Sequence, residues 1–253
     1  MIGRPRNGPV VAERSLLSTL LSLTLLVWVA RPGVAQSGSQ GLEHDFGVWL
    51  TALSQGSLAP LSPGLRNLRW WFDVQARLLE DSDGYDQGLL RPAIGYAFTD
   101  EISVWLGYAF VHTDAGGRAQ FDEHRFWQQL LWSTKFEPVG FQSRTRLVQR
   151  FLETGSDTGW WLRQLFKITY PFTFGPRFGL TGFNELFFNF NDTDWGANAG
   201  FAQNRFFAGL FGRLDDRGRA TLEIGYLNQF LANDPLSDRM HHIVMVNLLL
   251  NLN

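Results

Sequence analysis

The chain has 253 residues, with 22 Lys and Arg against 24 Asp and Glu, 45% hydrophobic and 15% aromatic residues, ten Trp, 22 Phe and no Cys. The absence of cysteine excludes a disulfide framework, a thiolate metal site and a cysteine nucleophile. The slightly acidic balance leaves no electrostatic case for a nucleic-acid partner, and the body of the chain lacks the runs of about 20 apolar residues that a helical membrane protein needs.

Residues 1–35 read as a cleaved secretory signal. Arg4, Arg6 and Arg14 form a basic leader, Leu16 to Ala30 form an apolar core, and Gly33-Val34-Ala35 supplies small residues for cleavage after Ala35. Removing them takes away Arg4, Arg6, Arg14, Arg31 and Glu13 and leaves 18 bases against 23 acids, a net charge of −5. Residues 36–253 then form a single domain.

From there the chain alternates. Between Leu65 and Leu79, Leu68, Trp70, Phe72, Val74, Ala76 and Leu78 share one parity, and Asn67, Arg69, Trp71, Asp73, Gln75 and Arg77 share the other. Alternate side chains of a strand point to opposite faces, so one face is apolar and the other charged. Strand-like segments recur near 44–55, 65–79, 87–98, 102–113, 123–136, 141–152, 159–170, 177–190, 202–213, 219–230 and 240–252. Tight turns at 99–101, 137–140 and 215–218 separate longer polar connections at 80–86, 114–122, 153–158, 191–201 and 231–239. Short turns on one rim and long loops on the other are the pattern of an outer-membrane barrel. The expected fold is therefore all-β: an antiparallel up-and-down transmembrane β-barrel of about 10–12 strands. Eleven segments conflict with the even strand numbers of bacterial single-chain barrels, so twelve is preferred, with the 44–55 segment and the Pro-, Ser- and Gly-rich stretch 56–64 the uncertain region. A soluble lipocalin-type barrel would have to enclose the charged parity at several kcal/mol per unpaired ion, which favours the membrane form.

Eleven bases take the inward parity: Arg69, Arg77, Arg91, Arg125, Lys135, Arg144, Arg146, Arg150, Arg163, Lys167 and Arg205. Three acids join them: Asp73, Glu185 and Glu223. A net positive lumen favours small anions, as charged rings do in selective pores; the plainer alternative is that these long side chains fill the barrel and pair with the three carboxylates. The loops carry the opposite sign, with 13 acids (Glu80, Asp81, Asp83, Asp86, Asp114, Asp122, Glu123, Glu153, Asp157, Asp192, Asp194, Asp234 and Asp238) against Arg118 and Arg239. Such loops are either simply solvated or bind divalent cations beside lipopolysaccharide phosphates.

The motifs Arg144-Thr145-Arg146-Leu147-Val148-Gln149-Arg150-Phe151, Asn184-Glu185-Leu186-Phe187-Phe188-Asn189, Gln203-Asn204-Arg205-Phe206-Phe207-Ala208-Gly209 and Leu222-Glu223-Ile224-Gly225-Tyr226-Leu227 resemble those of domain-of-unknown-function family 2490, a group of bacterial outer-membrane proteins. Phe46-Gly47-Val48-Trp49 and His124-Arg125-Phe126-Trp127-Gln128-Gln129 extend the resemblance over most of the mature chain. It implies a Gram-negative outer-membrane barrel with inward Arg and Glu positions, and no reaction. One departure is the C-terminus, which ends at Leu252-Asn253 where such barrels usually carry an aromatic residue for the assembly machinery.

An enzymatic alternative is a lipid or lipopolysaccharide-modifying hydrolase at the extracellular rim, where His112, His124, His241 and His242 flank two long loops. Such chemistry needs a hydroxyl beside a base. No Ser lies two residues from any of these four or from His44, and no Gly-x-Ser-x-Gly elbow is present. The expectation is a monomeric, porin-like barrel without catalytic residues, metal or cofactor. Its partners would be outer-membrane lipid, lipopolysaccharide, the barrel assembly machinery and small anions.

Overall fold

The computed structural model describes residues 42–79, 84–114, 120–232 and 237–252. Residues 1–35, expected to be a secretory signal, together with Glu80, Asp81, Asp83, Arg118 and Asp234, lie outside them. The described chain forms eleven strands: β1 (Glu43–Ser57), β2 (Leu68–Leu79), β3 (Gly84–Ala97), β4 (Ile102–Thr113), β5 (Phe121–Phe136), β6 (Val139–Leu152), β7 (Thr158–Phe172), β8 (Gly175–Asn189), β9 (Gly200–Arg213), β10 (Ala220–Leu231) and β11 (Arg239–Leu252). They close into one barrel in chain order. Among the described residues the only helical element is a short 3-10 turn at Pro63–Leu65, between β1 and β2.

The count is eleven, not the twelve that the even-number rule favoured, and the 44–55 segment is a full strand. Consecutive strands run antiparallel, so an odd number forces the first and last to run the same way. Accordingly β1 and β11 pair in parallel, from Glu43 opposite Arg239 to Gly56 opposite Leu252. The seam begins with the Arg239–Glu43 ion pair at 3.2 Å. On its outer face the His44 and His242 rings stack at 5.2 Å with their Nδ1 and Nε2 atoms 2.9 Å apart. The odd count also puts the start of β1 on the long-connection rim and the end of β11 on the short-connection rim.

The alternation sorts faces as the pleat requires. Phe72 is 44% exposed and its neighbour Asp73 1%. Phe46, Ile94, Leu106, Phe126, Phe166, Leu180, Phe206, Leu210, Ile224 and Val244 are among the many apolar side chains exposed on the outer face. The few polar groups on that face pair with one another across strands: Gln128 with Gln149 through two amide hydrogen bonds at 2.9 and 3.2 Å, Thr145 with Gln164 at 2.6 Å, and Asn184 with Asn204 at 3.2 and 3.4 Å.

The interior is not purely polar. Trp49, Trp71, Trp105, Trp127 and Trp161 share the parity of the buried charges and point inward. They build two apolar clusters, one of Trp49, Leu79, Phe207, Leu227 and Ile243, the other of Trp105, Ala109, Trp127 and Val148. Strands spaced about 4.8 Å apart and tilted about 40° give an eleven-stranded barrel a backbone radius of roughly 11 Å, wider than the eight-stranded barrels that ordinary side chains fill. Large rings are needed to occupy that width. Two of them lie flat over glycines on the adjacent strand: Trp105 over its cross-strand partner Gly95, and Trp127 over Gly107. A Cβ on Gly107 would sit 2.1 Å from Trp127 Cζ2, so only glycine fits beneath the indole.

Candidate functional site: a basic interior cavity

Four carboxylates anchor most of the inward bases. Asp73 takes Arg91 (Nε–Oδ1 2.6 Å) and the Trp71 indole N–H (2.6 Å). Glu185 accepts from Arg144 Nη2 at 2.8 Å and from Arg163 Nε and Nη2 at 3.0 and 2.8 Å. Glu223 accepts from Lys167 Nζ at 2.5 Å. The fourth is Glu123, which the sequence pattern assigned to a loop. It lies inside the barrel, 2% exposed, and is clasped by Arg125 and Arg150 through four hydrogen bonds of 2.5 to 3.0 Å. Asp45 is a fifth buried acid. Glu123 sits two residues into β5 on the same parity as Arg125 and Trp127, and that parity was the available signal.

Three further arginines lean on neutral partners. Arg77 donates to Gln75 and Gln87 oxygens at 2.7 to 3.1 Å. Arg146 donates twice to Gln129 Oε1, at 2.9 and 2.6 Å. Arg205 donates to Gln203 when that amide turns its oxygen inward, at 2.5 and 2.9 Å. Aromatic faces complete their surroundings: Arg77 and Arg205 lie 4.1 and 4.8 Å from the Trp49 ring centre, and Arg205 also lies 4.7 Å from that of Phe187. Arg146 is 3.9 Å from Trp127 and Arg150 3.7 Å from Trp161. A ring quadrupole attracts a guanidinium without neutralising it. Glutamines and inward tryptophans, not carboxylates alone, therefore hold the surplus bases.

Two of the inward-parity bases sit at the short-connection rim instead. Arg69 bonds Ser57 Oγ at 3.1 Å and backbone carbonyls of the β1–β2 connection. Lys135 is mostly exposed and meets Glu137 at 3.3 Å. Neither belongs to the buried network.

A cavity of about 420 Å³ opens at the short-connection rim, where Gln55, Gly218 and Asn251 line it, and reaches Trp49, Arg146, Arg163 and Arg205 in mid-barrel. Beyond that depth the interior is packed. Val111, Phe187, Phe207 and Ile243 have essentially no exposed surface. At the long-connection rim Trp195 lies over the Arg150 guanidinium at 4.7 Å. Asp157 and Asp194 staple the loops carrying them: Asp194 accepts from the Ser156 amide and hydroxyl at 2.8 and 2.7 Å, and its own amide donates to Asp157 at 2.8 Å. The Ser156 amide and hydroxyl hold the Asp194 carboxyl below the usual aspartate range. Among the described residues no group of three or more His, Asp or Glu is arranged to hold a metal ion.

The histidines fall mostly on the outer face of the long-connection half. His112 meets Asp122 at 2.7 Å, His124 meets the Tyr108 hydroxyl at 2.5 Å, and His242 meets the Tyr226 hydroxyl at 2.7 Å as well as His44. His241 points inward and is buried. None of these hydrogen bonds goes to a serine hydroxyl.

A family model described as a protein of unknown function (DUF2490) matches residues 46–241. An uncharacterized protein of Methylorubrum extorquens (strain AM1) is 35% identical over 211 residues, covering 81% of this chain and 87% of the relative. No solved structure matches. The matched segment runs from within β1 to within β11 and so takes in nearly the whole barrel, and this chain belongs to the DUF2490 family.

Proposed function

We propose that the protein is an exported outer-membrane β-barrel, monomeric, whose basic interior draws in small anions from the short-connection side and conducts them only narrowly. The observation that carries this reading is the sorting of the two faces. An outer surface of exposed Leu, Ile, Val and Phe, whose scattered Gln, Asn and Thr side chains satisfy one another, suits hydrocarbon, where no water is available to take an unpaired polar group. Strands of 12 to 16 residues, at about 3.3 Å per residue and tilted about 40°, rise roughly 30–40 Å and exceed the apolar band of about 25 Å. Tyr96, Trp132 and Tyr170 near one rim and Trp160, Phe188 and Phe201 near the other suit the two interfacial girdles. Membrane lipid and lipopolysaccharide are then the partners of the outer face, and β11, ending on Leu252, is the strand offered to the assembly machinery. Inside, nine buried or half-buried bases (Arg77, Arg91, Arg125, Arg144, Arg146, Arg150, Arg163, Lys167, Arg205) outnumber five acids (Asp45, Asp73, Glu123, Glu185, Glu223). That excess favours anions, and the packed long-connection half keeps the conductance small.

Cell fractionation and planar-bilayer recording test this. The expected result is recovery in the outer membrane and a low conductance that prefers anions, with the preference weakened in Arg144→Ala and in Arg150→Ala. Recovery as a freely dissolved periplasmic protein overturns the membrane assignment, and an unchanged ion preference in both variants overturns the basic-interior reading. Release of acyl chains from phospholipid or lipopolysaccharide would favour instead a hydrolase at the histidine-bearing rim.

A further inference from the structure

The cavity at the short-connection mouth is lined by six bases (Arg91, Arg144, Arg146, Arg163, Lys167 and Arg205) against three acids (Asp73, Glu185 and Glu223). Arg146 and Arg205 face it with charges that glutamine oxygens and ring faces hold in place but do not cancel. Arg144 also lines it, sharing the Glu185 carboxylate with Arg163. Around these groups several buried N–H donors have no partner among the described residues: Arg144 Nε and Trp49 Nε1 on the cavity wall, with Trp127 Nε1 and Gln129 Nε2 behind Arg146. Among the described residues lining the cavity, Asn247 Oδ1 is a buried acceptor in the same state. Buried polar groups ordinarily find partners, and a donor excess beside uncancelled positive charge calls for an acceptor that is itself negative.

We propose that this vestibule binds one small free oxyanion, of the phosphate, sulfate or carboxylate class, between the guanidinium groups of Arg144, Arg146 and Arg205. Planar guanidinium forks match the paired oxygens of such groups, and about 420 Å³ accommodates one with its first waters. Arg144 and Arg163 both contact Glu185, Arg146 lies opposite Arg163 in the β6–β7 ladder and Arg205 lies opposite Glu185 in the β8–β9 ladder, so the four gather at one level of the barrel. The ligand enters from the short-connection side because the opposite half is packed. The inference deepens the anion reading above and depends on membrane placement only for the compartment that supplies the ligand.

The test is isothermal titration of the full barrel, folded in detergent in low-salt buffer, with sodium phosphate, sodium sulfate and sodium acetate as separate arms. The expected result is saturable heat with at least one of them, and the arms separate tetrahedral oxyanions from carboxylates. Removing one charge-assisted hydrogen bond in Arg146→Gln or Arg205→Gln weakens it about 10- to 100-fold, while Arg239→Gln at the opposite rim leaves it unchanged. Should the variants fail to fold, wild-type tryptophan emission supplies the second reading, since Trp49 and Trp127 lie against the guanidiniums and saturation must shift it. Absence of both heat and emission change overturns the proposal, as does binding insensitive to both substitutions. Heat from a barrel that fractionates as a soluble protein would retain the vestibule and reject the membrane assignment; a membrane barrel without heat would do the reverse.

Discussion

Glu185→Gln is the sharpest single perturbation of the interior. The carboxylate is 3% exposed and accepts three hydrogen bonds, one from Arg144 and two from Arg163. The amide keeps the shape and can leave its oxygen in place of Oε1, which accepts all three bonds, but it removes the charge that the two guanidiniums face. Removing one partner of a buried pair costs about 3–5 kcal/mol because the other charge is left uncompensated. Arg144 borders the cavity, where water relieves part of that cost, so the lower end, about 3 kcal/mol, is expected. With a urea dependence of about 3 kcal/mol per molar, the upper part of the range for single domains, the unfolding midpoint falls by about 1 M. The assay is equilibrium urea unfolding in lipid vesicles, followed by tryptophan emission and checked by heat-modifiable gel mobility. The double variant Glu185→Gln with Arg163→Gln should recover part of the loss, since it removes one of the two stranded charges. A midpoint within about 0.2 M of wild type would refute the claim that Glu185 holds the interior together.

Gly107→Ala places a methyl group where Trp127 lies and should cost about 1–3 kcal/mol through overpacking, read as a lower urea midpoint with altered Trp emission. If the barrel spans a membrane as proposed, the odd strand count predicts that a protease site inserted near Glu43 and one inserted near Leu252 are cut from opposite sides; cutting of both from one side of intact vesicles would reject the eleven-strand closure in a membrane. Asp194 titrates below the normal aspartate range because the folded loops donate hydrogen bonds to its ionised form. A depressed folded-state value means that its contribution to loop order is complete above the unfolded value of about 3.9 and is lost as pH falls through the lowered one. Exchange protection of the Ser156 amide should therefore persist at mildly acidic pH and collapse only below it, and Asp194→Asn should abolish that dependence.

Alternation in the chain was enough to place Asp73, Arg77, Arg144, Arg146, Arg163, Glu185 and Glu223 on one parity, because the two-residue repeat of a strand is a local property. Closure is not local. The even-number expectation pointed to twelve strands, and only the parallel pairing of residues 43–56 with residues 239–252, nearly two hundred positions apart, makes eleven. Glu123 was read as a loop acid because it adjoins Asp122 at a strand end, where one position decides between solvent and interior.

The linear order of residues by itself determined strand positions, the two faces and the basic character of one of them, since each follows from short-range periodicity and side-chain polarity. Tertiary structure alone decided what neutralises or cradles each inward charge. A guanidinium against Trp49, Trp127 or Trp161, a glutamine oxygen on Arg146 or Arg205, and a cavity open at one rim all depend on which strands become neighbours around a ring of roughly 11 Å radius. That radius is set by strand number and tilt, which no segment of the chain carries on its own.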